Sequence, residues 1–252
     1  MPDILSITGS VWGLVWLVGA VIVAGVVRGF AGFGSAMIIM PVASSVLTPV
    51  GAVIFVMFTE LLGPLPNLPG ALRDGARRDV GRLMVGAALA LPFGLWALSV
   101  VDPLVFGWTV SATVLTLLIL LMSGWRYPHA LSARLTVAAG ALGGFMTGIA
   151  GLPGPPVIML YMASTLPIKT VRANFLLYLL GTDLMMTLLM WLSGLMIPDI
   201  AILGLLVGVP NLIANALGAR LFDPEAEQLF RRVAYIVIAA SAIVGLPLWK
   251  GI

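Results

Sequence analysis

Three ionisable side chains interrupt runs of this chain that are otherwise apolar: Arg28, Glu60 and Asp183. Holding a charge in hydrocarbon costs about 2.5 to 3.5 kcal/mol even on the lenient insertion scale, so such groups are functional by default. The guanidinium of Arg28 could grip an oxyanion through two parallel hydrogen bonds. It could equally pair with Glu60 or snorkel to an interface. Asp183 sits nine residues past Asn174 in a long apolar run, where a carboxyl can stay protonated until water or a cation reaches it. That makes Asp183 the first candidate for proton coupling and Glu60 the second; Glu60 lies near the end of its run and could face the arginine-rich loop that follows. A structural hydrogen bond to another helix is the alternative for each acid. Asn174, Asn211 and Asn215 add neutral amides. Asn211 and Asn215 are four apart, share a helix face, and read as glue between helices rather than as cavity lining.

The residues that are missing narrow the chemistry further. There is no cysteine, which excludes disulfides, thiolate nucleophiles and Cys-ligated metals. The one histidine, His129, falls in a short polar loop, HExxH is absent, and the two intramembrane acids stand apart. A membrane-embedded enzyme would need a nucleophile with its base, a metal cluster or paired acids placed together. No catalytic residue, metal site or cofactor is therefore expected. No GxxxxGK[ST] loop occurs either, so ATP drive would have to come from another protein.

The strongest pattern is a repeat. The segment GFAGFGSAMIIMPVASS from Gly29 to Ser45 recurs as GIAGLPGPPVIMLYMAST from Gly148 to Thr165, with one residue inserted at Pro153. The pairs Gly29/Gly148, Ala31/Ala150, Gly32/Gly151, Gly34/Gly154, Ile38/Ile158, Ala43/Ala163 and Ser44/Ser164 coincide, and Phe55/Phe175 continues the register. Glycine permits positive φ and close backbone approach. Pro155 and Pro156 suit the first turn of a helix, whose leading N–H groups have no internal partner. Helices starting near Ser35 and Pro155 would aim positive dipole ends, each worth about half a charge, at whatever lies beside the tips. An anion is the natural occupant, and Gly32, Phe33, Gly34 and Ser35 in one copy with Gly151, Pro153 and Gly154 in the other are the candidate binding residues. A single such motif would more readily mean helix packing through small residues; its duplication in opposite orientation favours a site.

These residues must be positioned by membrane helices. The apolar fraction is 61%, the charged fraction 9% and the mean hydropathy +1.14, against about 25% charged residues in a soluble domain. The apolar run from Val11 is not preceded by Lys or Arg, so it reads as a retained membrane segment rather than a cleaved signal. It is the first of ten such runs, five per half, and those beginning at 35, 135 and 155 fall short of the roughly 20 residues that cross a bilayer.

Eleven of the thirteen basic residues lie in four short loops: Arg73, Arg77, Arg78 and Arg82; Arg126 and Arg134; Lys169 and Arg172; Arg220, Arg231 and Arg232. Basic loops face the cytoplasm, which explains the pI of about 9.7 without a nucleic-acid partner. The connections at Asp102-Pro103 and Pro198-Asp199 carry acid and no base and read as external. Loop charge is opposite at equivalent positions of the two halves, so the expected fold is all-α and polytopic, built of two inverted-topology repeats with both termini external. The first repeat, 1–125, would comprise a glycine-tipped helical hairpin at 11–48 and spans at 50–66, 83–101 and 104–122. The second, 126–252, would comprise a hairpin at 135–166 and spans at 174–196, 200–221 and 230–248. Each tip would lie at depth, where irregular backbone survives only if protein or a water-lined cavity shields it; paired inverted tips are a recurring transporter design. Trp12, Trp16, Trp96, Trp108, Trp125, Trp191 and Trp249 mostly fall near segment ends, as interfacial anchors do.

The two glycine motifs, their spacing, the triplet Arg172-Ala173-Asn174 after a turn, and the length together resemble the sulfite exporter TauE/SafE family of membrane carriers. The likeness runs over essentially the whole chain, and it departs in the first copy, where Ser35 and Ala36 replace a further glycine. It implies a polytopic permease of the bacterial plasma membrane for sulfite, sulfonates or related small sulfur-containing or carboxylic anions, with Asn174 added to the binding set. The expected activity is secondary transport by alternating access around the tips, with coupling to protons or to the membrane potential; a channel of the same architecture is the alternative. The partners expected are the anion and the lipid bilayer, and a homodimer is left open because no exposed motif specifies one.

Overall fold

A computed structural model describes residues 9–123, 132–162, 166–221, 223 and 226–249. Among them every regular element is helical. The helices are α1 Val11–Ala31, α2 Ser35–Val46, α3 Pro49–Glu60, α4 Leu68–Asp74, α5 Arg77–Val100, α6 Pro103–Met122, α7 Ala133–Ala150, α8 Gly154–Met162, α9 Ile168–Leu192, α10 Pro198–Leu221 and α11 Glu227–Val244. Six of these, α1, α5, α6, α7, α9 and α10, are long and apolar enough to cross a membrane. The molecule is a multi-pass membrane protein.

Local chemistry sets many of the boundaries. Ser10 caps α1 by accepting the Gly13 N–H at 3.0 Å, and Ser132 caps α7 by accepting that of Leu135 at 3.2 Å. Thr48 does the same for Gly51 at 3.2 Å ahead of Pro49, which suits the first turn because it has no N–H to leave unbonded. At the start of α6, Asp102 accepts the Leu104 N–H at 2.8 Å and sets a negative charge against the positive end of the helix.

Three elements differ from the sequence pattern. The run expected as a single span over 50–66 is interrupted: α3 ends at Glu60, and Gly63 and Pro64 lead into a 3-10 turn, Leu65–Asn67, before α4. Pro64 has no N–H to continue the ladder, and its ring clashes with the preceding turn. The run at 135, short in its apolar residues, gains two residues at its start through the Ser132 cap and makes an 18-residue helix. In the other direction, α11 carries Glu227, Arg231 and Arg232 in its 18 residues and is not among the six apolar helices. The arginine-rich stretch is also partly helical, since Arg77, Arg78 and Arg82 open α5. Trp125, Arg126, His129, Ala163 and Ser164 lie outside the described residues.

The helices form two compact units that do not follow the chain halves. In the first unit, α1 packs chiefly on α10, which also packs on α3, while α2 packs on α1, α3, α6 and α11. Its core is Leu17, Val21, Ile38, Ile39, Met40, Ile54, Phe55, Phe106 and Ile238. Pro41 lies inside α2 and cannot donate to the Met37 carbonyl four residues back. The Ser241 hydroxyl of α11 reaches that carbonyl at 3.4 Å. In the second unit, α7 packs chiefly on α5 and then on α8, and α9 packs on α4, α5, α7 and α8. Leu83, Ala87, Val157, Leu160, Tyr161 and Tyr178 form its core.

Both main helix pairs depend on glycine where backbones meet. A Cβ on Gly29 of α1 would fall on the Asn215 carbonyl and 2.6 Å from the Ala219 nitrogen of α10. On α7, a Cβ at Gly144 would lie 2.5 Å from the Ala87 Cα, and one at Gly148 would lie 2.7 Å from the Leu95 nitrogen of α5. Small residues at four-residue spacing let such helices approach closely in lipid, where dispersion and not water exclusion drives association. Glycine at 19 on α1 has nothing within 4 Å of its missing Cβ. Gly144→Val is therefore expected to lower stability by about 1 to 3 kcal/mol through overpacking. Gly19→Ala should be neutral or stabilising by up to about 1 kcal/mol, because alanine costs less backbone entropy in a helix. Thermal melts in detergent separate the two, and equal melting temperatures would contradict the α5–α7 contact.

Candidate functional site

The turn between α1 and α2 is built from two left-handed glycines around one aromatic residue. Gly32 has φ 78° and Gly34 has φ 94°, a region that penalises any Cβ. Gly32 closes α1 by donating its N–H to the Arg28 carbonyl at 2.7 Å, and Gly34 is the N-cap of α2 without side-chain help. Phe33 between them lies 6.4 Å from the Tyr235 ring of α11, and Phe30 lies 5.1 Å from Phe230, so the turn is held against α11. Ser35, Ala36 and Met37 then open α2 with N–H groups that have no acceptor within the helix.

This turn brings Arg28 and Ser35 to the end of α3, where Glu60 receives both. Arg28 Nη1 is ion-paired with Glu60 Oε2, and the Ser35 hydroxyl donates to the same oxygen at 2.9 Å. Arg28 Nη1 also lies 3.4 Å from Ser35 Oγ. The other carboxylate oxygen, Oε1, accepts from Asn211 Nδ2 of α10 at 3.4 Å, and the same amide nitrogen lies 3.5 Å from the Thr59 carbonyl. One carboxylate thus gathers donors from three helices, α1, α2 and α10. The pair is not sealed: the Arg28 and Glu60 side chains are 19% and 17% exposed. Of the roles open to Arg28 on sequence grounds, pairing with Glu60 is the one seen.

In the second unit, Gly151 ends α7 with φ 62° and donates its N–H to the Thr147 carbonyl at 2.9 Å. Leu152 and Pro153 are buried behind it, and Gly154 begins α8 with the Phe175 ring 3.1 Å from the position of a Cβ. Pro155 and Pro156 have no N–H, so α8 offers fewer free amides than α2. Asn174 is fully buried and engaged at both ends: its Oδ1 accepts the Ala76 N–H at 2.7 Å, and its Nδ2 donates to the Tyr161 hydroxyl at 3.1 Å. It holds the start of α5 against α8 and α9. Beside it, Lys169 Nζ meets Asp74 Oδ2 at 3.1 Å, closing the same corner with an exposed ion pair. Asp183 is half-buried, nine residues or about 13.5 Å further along α9 than Asn174; its carbonyl accepts from Thr187 Oγ1 at 2.7 Å.

The structure therefore brings Arg28, Ser35 and Glu60 together beside Gly32, Phe33 and Gly34, and groups Gly151, Pro153 and Gly154 at the corresponding turn of the other unit. Three participants were not assigned from sequence in these roles. Asn211 read as interhelical glue and proves to be a partner of Glu60. Tyr161 and Tyr178 carried no expectation, although a buried phenol needs an acceptor or donor; the Tyr178 hydroxyl donates to the Gly140 carbonyl at 3.1 Å. In the register set by the glycine segments, Arg28, Ser35 and Glu60 fall opposite Thr147, Pro155 and Leu180. The charged cluster belongs to the first copy alone.

Comparison with known proteins agrees with this architecture. The model of a family described as Sulfite exporter TauE/SafE matches residues 17–244. Among curated proteins, the chain is similar to one described as a probable sulfite/organosulfonate exporter TauE from Cupriavidus necator, 28% identical over 232 residues that cover 86% of this chain and 87% of that one. No solved structure matches. Matched from Leu17 to Val244, through both glycine turns and the Arg28 cluster, the chain belongs to the sulfite exporter TauE/SafE family.

Proposed function

We propose that this protein is a secondary carrier that exports sulfite, a small organosulfonate or a related sulfur-containing or carboxylic anion across the bacterial plasma membrane. The observation that carries the reading is the Arg28 guanidinium, held at a left-handed glycine turn beside a serine hydroxyl and a helix N-terminus in a chain of this family. Each of these groups favours negative charge. The function ascribed to the Cupriavidus necator relative supplies the substrate class.

Transport in this reading is alternating access around the two turns, Gly32 to Ser35 and Gly151 to Gly154, with Asn174 bracing the second. The halves 1–125 and 126–252 act as inverted repeats. In support, Gly29 and Gly148, equivalent in sequence, serve the same packing role, since α1 uses one against α10 and α7 uses the other against α5. The basic loops then face the cytoplasm and both termini face outward. Anion movement is coupled to protons, with Asp183 and Glu60 as the acids that exchange them.

Two outcomes test this in liposomes loaded with methanesulfonate or sulfite. Arg28→Ala removes a charge-assisted contact worth about 1.5 to 3 kcal/mol and should weaken apparent substrate affinity about ten- to a hundredfold. Unchanged affinity in a variant that melts normally would remove Arg28 from the site. Asp183→Asn should preserve counterflow but lose accumulation driven by a pH gradient. Retained pH-driven accumulation would discard Asp183 as a coupling acid, and flux that neither saturates nor shows counterflow in the unaltered protein would replace the carrier by a channel.

A further inference from the structure

We propose that Glu60 is an internal stand-in for the transported anion, occupying the substrate's donors until a proton displaces it. The proposal rests on the carrier reading and deepens it by naming where proton and anion meet. The Glu60 carboxylate takes the bonds that an oxyanion would take: Arg28 Nη1 and Ser35 Oγ on Oε2, and Asn211 Nδ2 on Oε1. A sulfonate presents three oxygens to the same three donors.

Charge decides the order of events. Arg28 and Glu60 together are neutral, so a monovalent anion added to the intact pair would bring one uncompensated negative charge into a half-buried, weakly solvated position. If Glu60 takes a proton from water as the anion binds Arg28, the cluster stays neutral. No bond other than the carboxyl O–H is made, and the proton leaves when the anion does. Anion and proton then move together, one for one, because neither the empty deprotonated pair nor the filled protonated site carries net charge.

The surroundings leave Glu60 as the group able to do this. On the helices packed against α3, namely α2, α6 and α10, the charged residues are Asp199 and Arg220, at the two ends of α10. They lie 12 and 9 residues from Asn211, about 18 and 13.5 Å along the axis. On α1, Arg28 is the charged residue, and α11, packed on α1 and α2, carries Glu227, Arg231 and Arg232. Protonated Glu60 also has an acceptor waiting. Asn211 Oδ1 is buried without a hydrogen-bond partner, and rotation of that amide would exchange its donor for an acceptor facing Oε1.

The test uses the purified full-length protein and methanesulfonate, a sulfonate that stays ionised throughout the range of about pH 4 to 8. Calorimetric affinity of the unaltered protein should tighten about tenfold for each unit fall in pH wherever binding takes up one proton, the slope of one linked proton. Glu60→Gln should bind as tightly as the unaltered protein does at low pH, with no slope. Ser35→Ala, which keeps both charges, should weaken binding and retain the slope, and it serves where Glu60→Gln does not fold. Binding by the unaltered protein that is flat with pH overturns the exchange and leaves the carrier intact, as does loss of binding in a Glu60→Gln variant that melts normally. Absence of any binding of methanesulfonate or sulfite across the range overturns the carrier reading itself.

Discussion

Hydrocarbon offers no hydrogen bond to a peptide group, and this constraint shapes everything from the helix ends to the charged cluster. Wherever the helical ladder breaks, the freed groups must find partners inside the protein. Gly32 returns its N–H to the Arg28 carbonyl, Gly151 returns its own to Thr147, and the hydroxyl of Ser241 reaches the Met37 carbonyl that Pro41 leaves without a donor. At the start of α5, the break at Ala76 is closed by the Asn174 amide, itself tied to Tyr161. The two glycine breaks are repaired by backbone amides, and those at Pro41 and Ala76 by side chains.

The same constraint explains why charge appears where it does. A lone arginine or glutamate in the interior would be expensive, and the cost falls when the two are paired and the remaining lone pairs are bonded. Glu60 achieves this with Ser35 and Asn211, and it does so at the end of α3, where Gly63 and Pro64 interrupt the helix. A continuous span through 50–66 would have run on past that carboxylate without a turn. The interruption and the ion pair therefore fall together, and the broken helix locates the polar site as surely as the glycine turns do.

Much of this was legible in the chain itself, and the parts that were not share a cause. Helices formed where apolar runs lay, to within a few residues, because run length, Ser and Thr caps and Pro or Gly punctuation are local signals. Glycine permits positive φ, and Gly32, Gly34 and Gly151 adopt it, while which glycines of the segments would do so was not given by their spacing. Arg28 and Glu60 could be put forward as a pair because so few charges compete. What escaped was long range: that Asn211, 151 residues from Glu60, completes its shell, and that Tyr161 meets Asn174. The short run at 135 understates its helix because Ser132 and Arg134 hide a first helical turn that the Ser132 cap makes stable. At Pro64 the breaker was visible, but the apolar composition around it argued for a continuous span.

The packing of the units has a consequence that single-helix reasoning does not reach. α1 finds its main partner in α10, and α7 finds its own in α5, so each close glycine contact joins one half of the chain to the other. That exchange also frees the two copies to differ chemically. The glycine contacts are kept in both, since a Cβ at Gly29 or Gly148 would strike backbone in either case, whereas Arg28, Ser35 and Glu60 have Thr147, Pro155 and Leu180 opposite them. Close packing thus constrains both glycine segments, while the Arg28–Glu60 ion pair stands beside one of them.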